Sequence, residues 1–372
     1  MSKSGKKSII VSGAGPVGLA AALELARRGF APRIVDKADG PAPLTESRAL
    51  AVNPRTLALL EPSGASEEII AAAQHIREMR IRSRDKRLVM LDLTAMEGRY
   101  KGIRGLAQGR TERILIERLA AFGIAPERQT ELTLTGTDPA KPEVMLRHAD
   151  GREETARPDI LIVAEGAHSE ARHALGIGFP GESVKHAFYL ADFRYDRAID
   201  TGHGEAVFFN PGVFARLPVA ADTLRYISTM PNFTDLIDHP ASVVETPWKT
   251  DFHVSFRHVD PMSKGNIFLA GDAAHIHSPV GGRGMNLGIE DACWLAFLIS
   301  EGREADYSGL RTATARTVLS KTQQMTRMIL LANPLAIAAR NALMPLALNM
   351  PAIRRKAILS VAGLDTPAPP WL

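Results

Sequence analysis

The segment that most limits what this chain can fold into is Gly13-Ala14-Gly15-Pro16-Val17-Gly18. It separates an apolar run, Ser8 to Ser12, from an Ala- and Leu-rich run, Leu19 to Gly29. The first run reads as a buried parallel strand. The second reads as a helix that ends in Arg27, Arg28 and Gly29, the cations and glycine that helix ends prefer. Arg33 to Asp36 reads as the next strand, which completes a βαβ unit. The three glycines have separate tasks: Gly13 permits the tight turn, Gly15 lets the backbone approach a pyrophosphate, and Gly18 lets helix and strand pack closely. Asp36 closes the second strand, where a carboxylate can hold a ribose 2′-hydroxyl. The pattern predicts dinucleotide binding but does not separate a flavin from a nicotinamide dinucleotide.

A second glycine-rich stretch, Gly265 to Trp294, lies near the other end of the chain. Its short apolar strand ends at Gly271-Asp272, a loop rich in glycine follows, and a helix opens near Met285 or Asn286. This layout brings backbone N–H groups and a helix N-terminus to a flat, polar ligand. Helices are expected over Asn53–Leu60, Ser66–Gln74 and Thr111–Phe122. A hairpin is expected from Met79–Ser83 and Leu88–Leu93 around Arg84-Asp85-Lys86-Arg87. Strands are expected over Leu132–Thr137, Val144–His148 and Ile160–Ala164. Further on, Tyr189–Tyr195, Ala206–Phe209, Val213–Val219, Leu224–Met230 and Phe252–Arg257 read as short strands, most of them in one antiparallel sheet. After Asn286 the pattern is helical to about Ala362, with breaks at Pro334, Pro345 and Pro351, and the tail from Thr366 is expected on the surface.

Composition narrows the function. The chain has 372 residues, 45% hydrophobic and 23% charged, with a net charge of +4. It carries no long Lys/Arg block, which argues against nucleic-acid binding. The single cysteine, Cys293, lies in an apolar helical run and reads as core, and a chain that needs no disulfide fits a reducing cytoplasm. No apolar N-terminal stretch with a cleavage site is present, so a secretory signal is not expected. The apolar segment Met328–Ala339 is interrupted by Asn333 and Pro334 and is too short to span a bilayer. His275 and His277 have strand-like spacing in a glycine-flanked loop, and no metal is expected there. No G-x-S-x-G nucleophile elbow occurs.

Four motifs, in order, resemble those of the class A flavin-dependent aromatic hydroxylases, the para-hydroxybenzoate hydroxylase family, and the resemblance covers about residues 8 to 365. Beyond the first turn there is Glu46-Ser47-Arg48-Ala49 with Pro54-Arg55-Thr56-Leu57. The second is Gln108-Gly-Arg-Thr-Glu112-Arg113-Ile-Leu115, the third Val163-Ala164-Glu165-Gly166-Ala-His-Ser169-Glu-Ala-Arg172, and the fourth the Gly271-Asp272 stretch. The resemblance implies that the ligand is FAD, that Arg48 reaches it, that Gln108 contacts its flavin side and that Asp272 binds the ribityl chain. The full candidate set for the cofactor is Gly13, Gly15, Pro16, Val17, Gly18, Asp36, Lys37, Arg48, Gln108, Asp272, Pro279, Gly282, Gly284, Met285 and Asn286.

The implied fold is mixed α/β (α+β): a Rossmann-like FAD-binding domain over residues 1–75, 100–180 and 264–325, interrupted by an antiparallel β-sheet substrate domain over 76–99 and 181–263, with a C-terminal helical segment over 326–372. The late helices are read as a cover for the FAD domain, with a membrane surface or a second subunit as alternatives; membrane contact is not expected, and the chain is taken as a monomer or homodimer.

Three departures from the family pattern stand out. Glu165 replaces the usual aspartate, near FAD and the nicotinamide cofactor in relatives, which puts reductant handling in question. Arg283 stands where glutamine is common, either as a guanidinium beside the flavin or as a surface cation. The thioredoxin-like tail of some larger relatives has no counterpart in these residues.

The implied activity is that of a monooxygenase. NADPH or NADH reduces the flavin, O2 adds at its C4a position, and the C4a-hydroperoxyflavin gives one oxygen to an aromatic or polyketide-like small molecule. No side-chain nucleophile is required, and no catalytic base is assigned. Phe209, Phe214, Arg216 and Tyr226 are the candidates for the substrate wall; Phe214 and Arg216 share a strand face, while Phe208 and Phe209 point opposite ways. A Baeyer–Villiger or epoxidising enzyme, a prenyl-reducing flavoenzyme and a non-catalytic flavin-binding protein are the alternatives. Halogenation is disfavoured because Trp248, Trp294 and Trp371 form no W-x-W-x-I-P signature.

Overall fold

A computed structural model describes residues 7–45, 48–83, 86–96, 98–209 and 212–372. The expected segments Glu46-Ser47 and the hairpin tip Arg84-Asp85 lie outside the described residues. At the centre is a parallel sheet in the order Ile267–Leu269, Ile160–Val163, Ile9–Ser12, Arg33–Val35, with Ser263–Lys264 antiparallel at its edge. Its first, second and third strands in space come from distant parts of the chain, so the two glycine motifs return to one sheet. Ile9–Ser12, Ile160–Val163 and Ile267–Leu269 are buried along their whole length. Continuous apolar runs suit such strands, because helices cover both faces of a parallel sheet.

The helix Pro16–Arg27 lies across this sheet and against the helix Gly284–Ser300. Small side chains at Ala20, Ala21 and Ala22 allow the close approach, and all three are fully buried. Glu24 is buried in the same helix and is neutralised by Arg27 at 2.9 Å and by Arg28. Cys293 is buried in the second helix, as its apolar surroundings predict.

The second layer is an eight-stranded sheet. It runs from His275–Ile276 through Val243–His258, Gly181–Tyr195, Thr223–Ser228, Val213–Ala220, His203–Phe208 and Glu78–Ser83 to Lys86–Asp92. The pairings are antiparallel except one: His203–Phe208 runs parallel to Glu78–Ser83. That exception arises because Glu78–Ser83 enters from the nucleotide domain rather than through a hairpin. The strands Gly181–Tyr195 and Val243–His258 extend well before the expected Tyr189 and Phe252, into polar sequence where alternation is weak.

Three local expectations are corrected. The helix expected to reach Gln74 ends at Ala72, and Gln74–Ile76 is a strand. Pro345 does not break the chain but lies inside the helix Pro334–Asn349; Pro334 and Pro351 stand at first helical turns, where a missing N–H costs nothing. The tail is on the surface only in part: Pro367, Ala368, Pro370 and Leu372 are exposed, but Trp371 stacks on Phe297 at 4.3 Å and meets Trp294 edge-on at 5.0 Å. Arg55 holds the same segment through the carbonyls of Gly363 and Thr366 at 3.3 and 3.2 Å.

Candidate functional site

The first glycine turn sits at the end of Ile9–Ser12. Gly13 has φ +99°, and a Cβ there would lie 2.3 Å from the Ala164 carbonyl oxygen. A Cβ on Gly18 would lie 1.8 Å from the Gly13 carbonyl oxygen, whereas one on Gly15 would meet nothing within 4 Å. Two glycines are therefore required by the protein's own packing. The third leaves open space beside the backbone, as a pyrophosphate needs. Pro16 opens the helix, and no side chain caps its first turn, so its N–H donors remain directed at that space. Asp36 accepts from the N–H groups of Ala14 and Ala38 and pairs with Arg128 at 3.7 Å. Lys37 is exposed and turned to Glu170 at 3.6 Å.

The second motif is joined to the first by Val17. Cβ atoms on Gly271 and Gly288 would lie 2.8 and 2.6 Å from the Val17 Cγ2 methyl, so the valine occupies the room those glycines leave. Gly271 has φ +61° and turns the chain to Asp272. Asp272 is exposed on one side while protein crowds its other sides, and this desolvation pushes its carboxyl up, with His275 opposing. The helix that follows starts at Gly284, one residue before Met285, again with no side-chain cap and no acid in its first turn. Its N-terminus carries about half a positive charge on free N–H groups.

The remaining candidates line the same edge. Asn286 is buried; its side-chain oxygen accepts from Asn53 N–H at 3.0 Å and the Thr56 hydroxyl at 2.7 Å. Its amide donates to the carbonyls of Ala51 and Gly282, each at 2.7 Å. That leaves only its backbone N–H for a ligand. Gly282 lies against Ala51, and Pro279 is exposed beyond it. Gln108 accepts from the Ala49 N–H at 3.2 Å and donates to Glu112 at 2.8 Å, while Glu112 takes the Ala42 N–H at 2.6 Å. The loop bearing Arg48 is thereby fastened to the helix Gln108–Ala120. Arg48 itself is exposed, and its carbonyl accepts from Arg225 at 2.9 Å.

The family departures acquire structural explanations. Glu165 accepts from the hydroxyls of Ser12 at 2.6 Å and Ser169 at 2.7 Å and from the Ala171 N–H at 3.1 Å. Its extra methylene is spent on tying the first strand to the following short helix. Arg283 is not a surface cation: at the start of the helix Gly284–Ser300 it is buried and paired with Asp365 at 2.7 Å, which also takes Lys321 at 2.7 Å. It anchors the C-terminal segment.

A buried charge network behind Gly271 was not apparent in the motifs. His275 Nε2 lies 2.6 Å from Asp291, whose carboxylate also accepts from Arg311 Nε at 2.7 Å and from the Gly271 N–H at 3.2 Å. Arg311 reaches Glu290 at 3.0 Å. Burial alone would push the Asp291 carboxyl up, but His275 and Arg311 outweigh it and hold it below the ordinary carboxylate range. The next histidine differs: burial pushes His277 down to about 4, and its Nδ1 lies 2.9 Å from the Ser278 carbonyl. His277 is thus neutral in the fold but protonates near 6.5 when unfolded. The unfolded state binds the extra proton between those values, so folding stability should fall as pH drops from about 6.5 toward 4, by up to about 3 kcal/mol. His277→Gln should flatten that slope in a pH series of chemical melts. Among the described residues no cluster has the makings of a metal site.

The substrate-wall candidates share one face of the large sheet. Arg216 lies opposite Glu205 and Tyr226, Phe214 opposite Val207 and Ser228, and Tyr226 opposite Ala191, so all share one face. Phe209 joins them, its ring 5.5 Å from Phe214. This face has its own small core with Phe193, Tyr195 and Phe233, and Tyr195 lies 3.0 Å from His239. Arg216 bridges His203 and Glu205 there. The other face meets the nucleotide domain and the late helices. On it, Arg225 binds Asp192 at 2.8 and 2.9 Å and the Arg48 carbonyl, and lies 4.8 Å over the Trp248 ring. Phe208 faces the same way, under Arg340 at 4.0 Å. Strand alternation shows which residues share a face but not which face meets the partner layer.

This arrangement agrees with the comparisons. A family model described as FAD binding domain matches residues 6–210 and 220–327. The chain is 32% identical to 6-methylpretetramide 4-monooxygenase of Streptomyces rimosus over 89% of its own length and 64% of that protein's. It is 30% identical to pentachlorophenol 4-monooxygenase of Sphingobium chlorophenolicum, covering 88% of this chain and 66% of that one. It thus spans about two thirds of the length of these curated relatives. The crystal structure of p-nitrophenol 4-monooxygenase from Pseudomonas putida DLL-E4 superposes with a TM-score of 0.86 at 21% identity, covering 98% of this chain and 99% of that one, so the fold is shared along its length. With the open glycine turn, the acid at the second strand and the uncapped helix on one edge, the match settles the family: the chain belongs to the FAD-binding-domain family.

Proposed function

We propose that the chain is a flavin monooxygenase that uses NADH or NADPH and O2 to hydroxylate an aromatic or polyketide-like small molecule. The carrying observation is the packing of Val17 into the space left by Gly271 and Gly288. It packs the pyrophosphate turn against the Gly271 turn and the helix Gly284–Ser300, which brings the two glycine motifs together. The named relatives, which act as monooxygenases on phenolic and pretetramide compounds by their names, support the chemistry.

When bound, FAD supplies the redox and oxygen-activating chemistry. The backbone N–H groups after Gly15 would hold its pyrophosphate, Asp36 a ribose hydroxyl and Asp272 the ribityl chain. The first-turn N–H groups of Gly284, Met285 and Asn286 would face the flavin pole that becomes negative on reduction, a stabilisation of up to about 2 kcal/mol. Arg48, on the fastened loop, and Gln108, which opens the helix that holds this loop, would face the flavin side of the cofactor. Water exclusion then falls to the sheet face that bears Phe208, Trp248 and Arg225 rather than to the Tyr226 face. The balance is one NAD(P)H, one proton, one O2 and one aromatic C–H consumed for NAD(P)+, water and the hydroxylated product.

The test is a panel of phenols and polycyclic aromatics added to the holoprotein with NADH or NADPH. The expected result is faster nicotinamide oxidation with one class, product carrying a single atom from 18O2, and H2O2 accounting for the minority of turnover. Tyr226→Phe, on the far face, should leave coupling within about twofold. A holoprotein whose flavin is reduced by neither nucleotide under any of these conditions would instead be a flavin carrier. Lactone or epoxide products would point to the Baeyer–Villiger or epoxidising alternative.

A further inference from the structure

We propose that the helix Pro334–Asn349 and the start of Pro351–Ala362 form a docking surface for an anionic lipid bilayer. The helix carries apolar side chains on both sides. Its inner side carries Ile337 and Arg340, both buried. Its outer side carries Leu335, Leu343 and Leu346, which are 81%, 61% and 65% exposed, with Ala339 and Ala342 exposed between them. At 100° per residue these positions form one stripe, and Met350, 56% exposed, continues it. A charge-free leucine stripe of this kind is unusual on a water-facing surface.

The charge around the stripe selects its occupant. From Tyr307 to Leu364 the sequence contains eight Lys or Arg residues and no Asp or Glu. Arg311, Arg316, Lys321 and Arg327 pair with carboxylates from other parts of the fold. Arg354, Arg355 and Lys356 stand immediately after the stripe, and the last two are exposed. Leucine on one flank and cations on the other match acyl chains and anionic headgroups. A second copy of the chain would bring the same cation-bearing segment, which contributes no carboxylate of its own, against this one, so self-association is disfavoured on charge. The helix lies on the bilayer rather than across it: its 16 residues span about 24 Å, short of a hydrocarbon core of about 30 Å. No single helix among the described residues is long and apolar enough to cross a membrane, and this helix is bent by 117° from the one before it. The sequence alone points to no membrane contact, because length and hydropathy do not show which side of the helix faces out.

Flotation of the FAD-loaded protein with vesicles of phosphatidylcholine, alone or with roughly one third phosphatidylglycerol, tests the proposal. The expected result is at least about tenfold greater partitioning onto the anionic vesicles, weakened by salt. Leu343→Asp/Leu346→Asp should abolish it while leaving flavin absorbance and melting temperature unchanged, because both side chains are exposed. Arg355→Glu/Lys356→Glu should weaken it and reduce the salt dependence. Failure to float with the anionic vesicles overturns the proposal. So does flotation unaffected by Leu343→Asp/Leu346→Asp, or a dimer in light scattering that this variant dissociates while vesicles go unbound.

Discussion

Gly18→Ala protein should emerge from purification colourless. The added methyl carbon would sit 1.8 Å from the Gly13 carbonyl oxygen, a backbone atom that cannot rotate aside. Either the helix Pro16–Arg27 lifts from the turn or the turn opens. Both distort the N–H array proposed to hold FAD, and a strain of about 3 kcal/mol is expected at this site. Gly15→Ala is the informative companion. Its methyl meets no protein atom within 4 Å, so the apoprotein should melt as the wild type does. The same methyl occupies the space into which the pyrophosphate must come, so FAD affinity should fall about ten- to hundredfold, read by flavin fluorescence titration. The contrast matters more than either result. A general weakening of the fold would lower both melting temperature and affinity in both variants. A pyrophosphate seat predicts that only Gly18→Ala loses stability. Wild-type flavin content in Gly15→Ala would remove the turn from the cofactor site.

Much of this architecture was legible in the sequence because the informative residues act locally. Glycines at a tight turn, an acid at a strand end and buried β-branched runs are each required by atoms a few residues away. The separation of Gly13 and Gly271 along the chain was bridged because both sit at strand ends that one sheet must gather. What the sequence concealed depends on non-local choices. Phe214, Arg216 and Tyr226 were rightly grouped by alternation, but the face turned to the nucleotide domain carries Arg225 and Phe208 instead. That choice is made by Arg225 meeting the Arg48 carbonyl and by Leu217 packing beside Ile76 and Ile103. The surface alternative for Arg283 fails for a related reason: its partner Asp365 lies 82 residues on, just before a tail whose proline content gives no hint of docking. One hidden feature did leave a sign. Glu290 and Asp291 interrupt the apolar helix Gly284–Ser300, and two adjacent carboxylates there require a buried cation, which Arg311 supplies.

That cation leads to the second large effect. Asp291→Ala should cost about 3–5 kcal/mol of folding stability, because it leaves a guanidinium buried without its main carboxylate. Asp291, Arg311 and His275 are all 1% exposed or less, so water cannot replace the missing partner. Arg311→Lys should cost less but not little: the guanidinium spans Asp291 and Glu290 through separate nitrogens, at 2.7 and 3.0 Å, and an ammonium offers no such fork. The loss should reach the cofactor as well, since Asp291 also accepts the Gly271 N–H that fixes the turn into Asp272. Chemical denaturation reads the first effect and flavin release the second. The pH dependence separates this network from His277. Asp291 has its carboxyl lowered in the fold, so its stabilisation is complete above its unfolded value of about 4 and is lost as pH falls through the folded value. The His277 loss is already complete by then. In Asp291→Ala the slope below about pH 4 should therefore shrink while the slope between about 6.5 and 4 persists. If Asp291→Ala melted within about 1 kcal/mol of the wild type, the carboxylate would not be holding Arg311, and the seat of Gly271 would have to be secured by packing on Val17 alone.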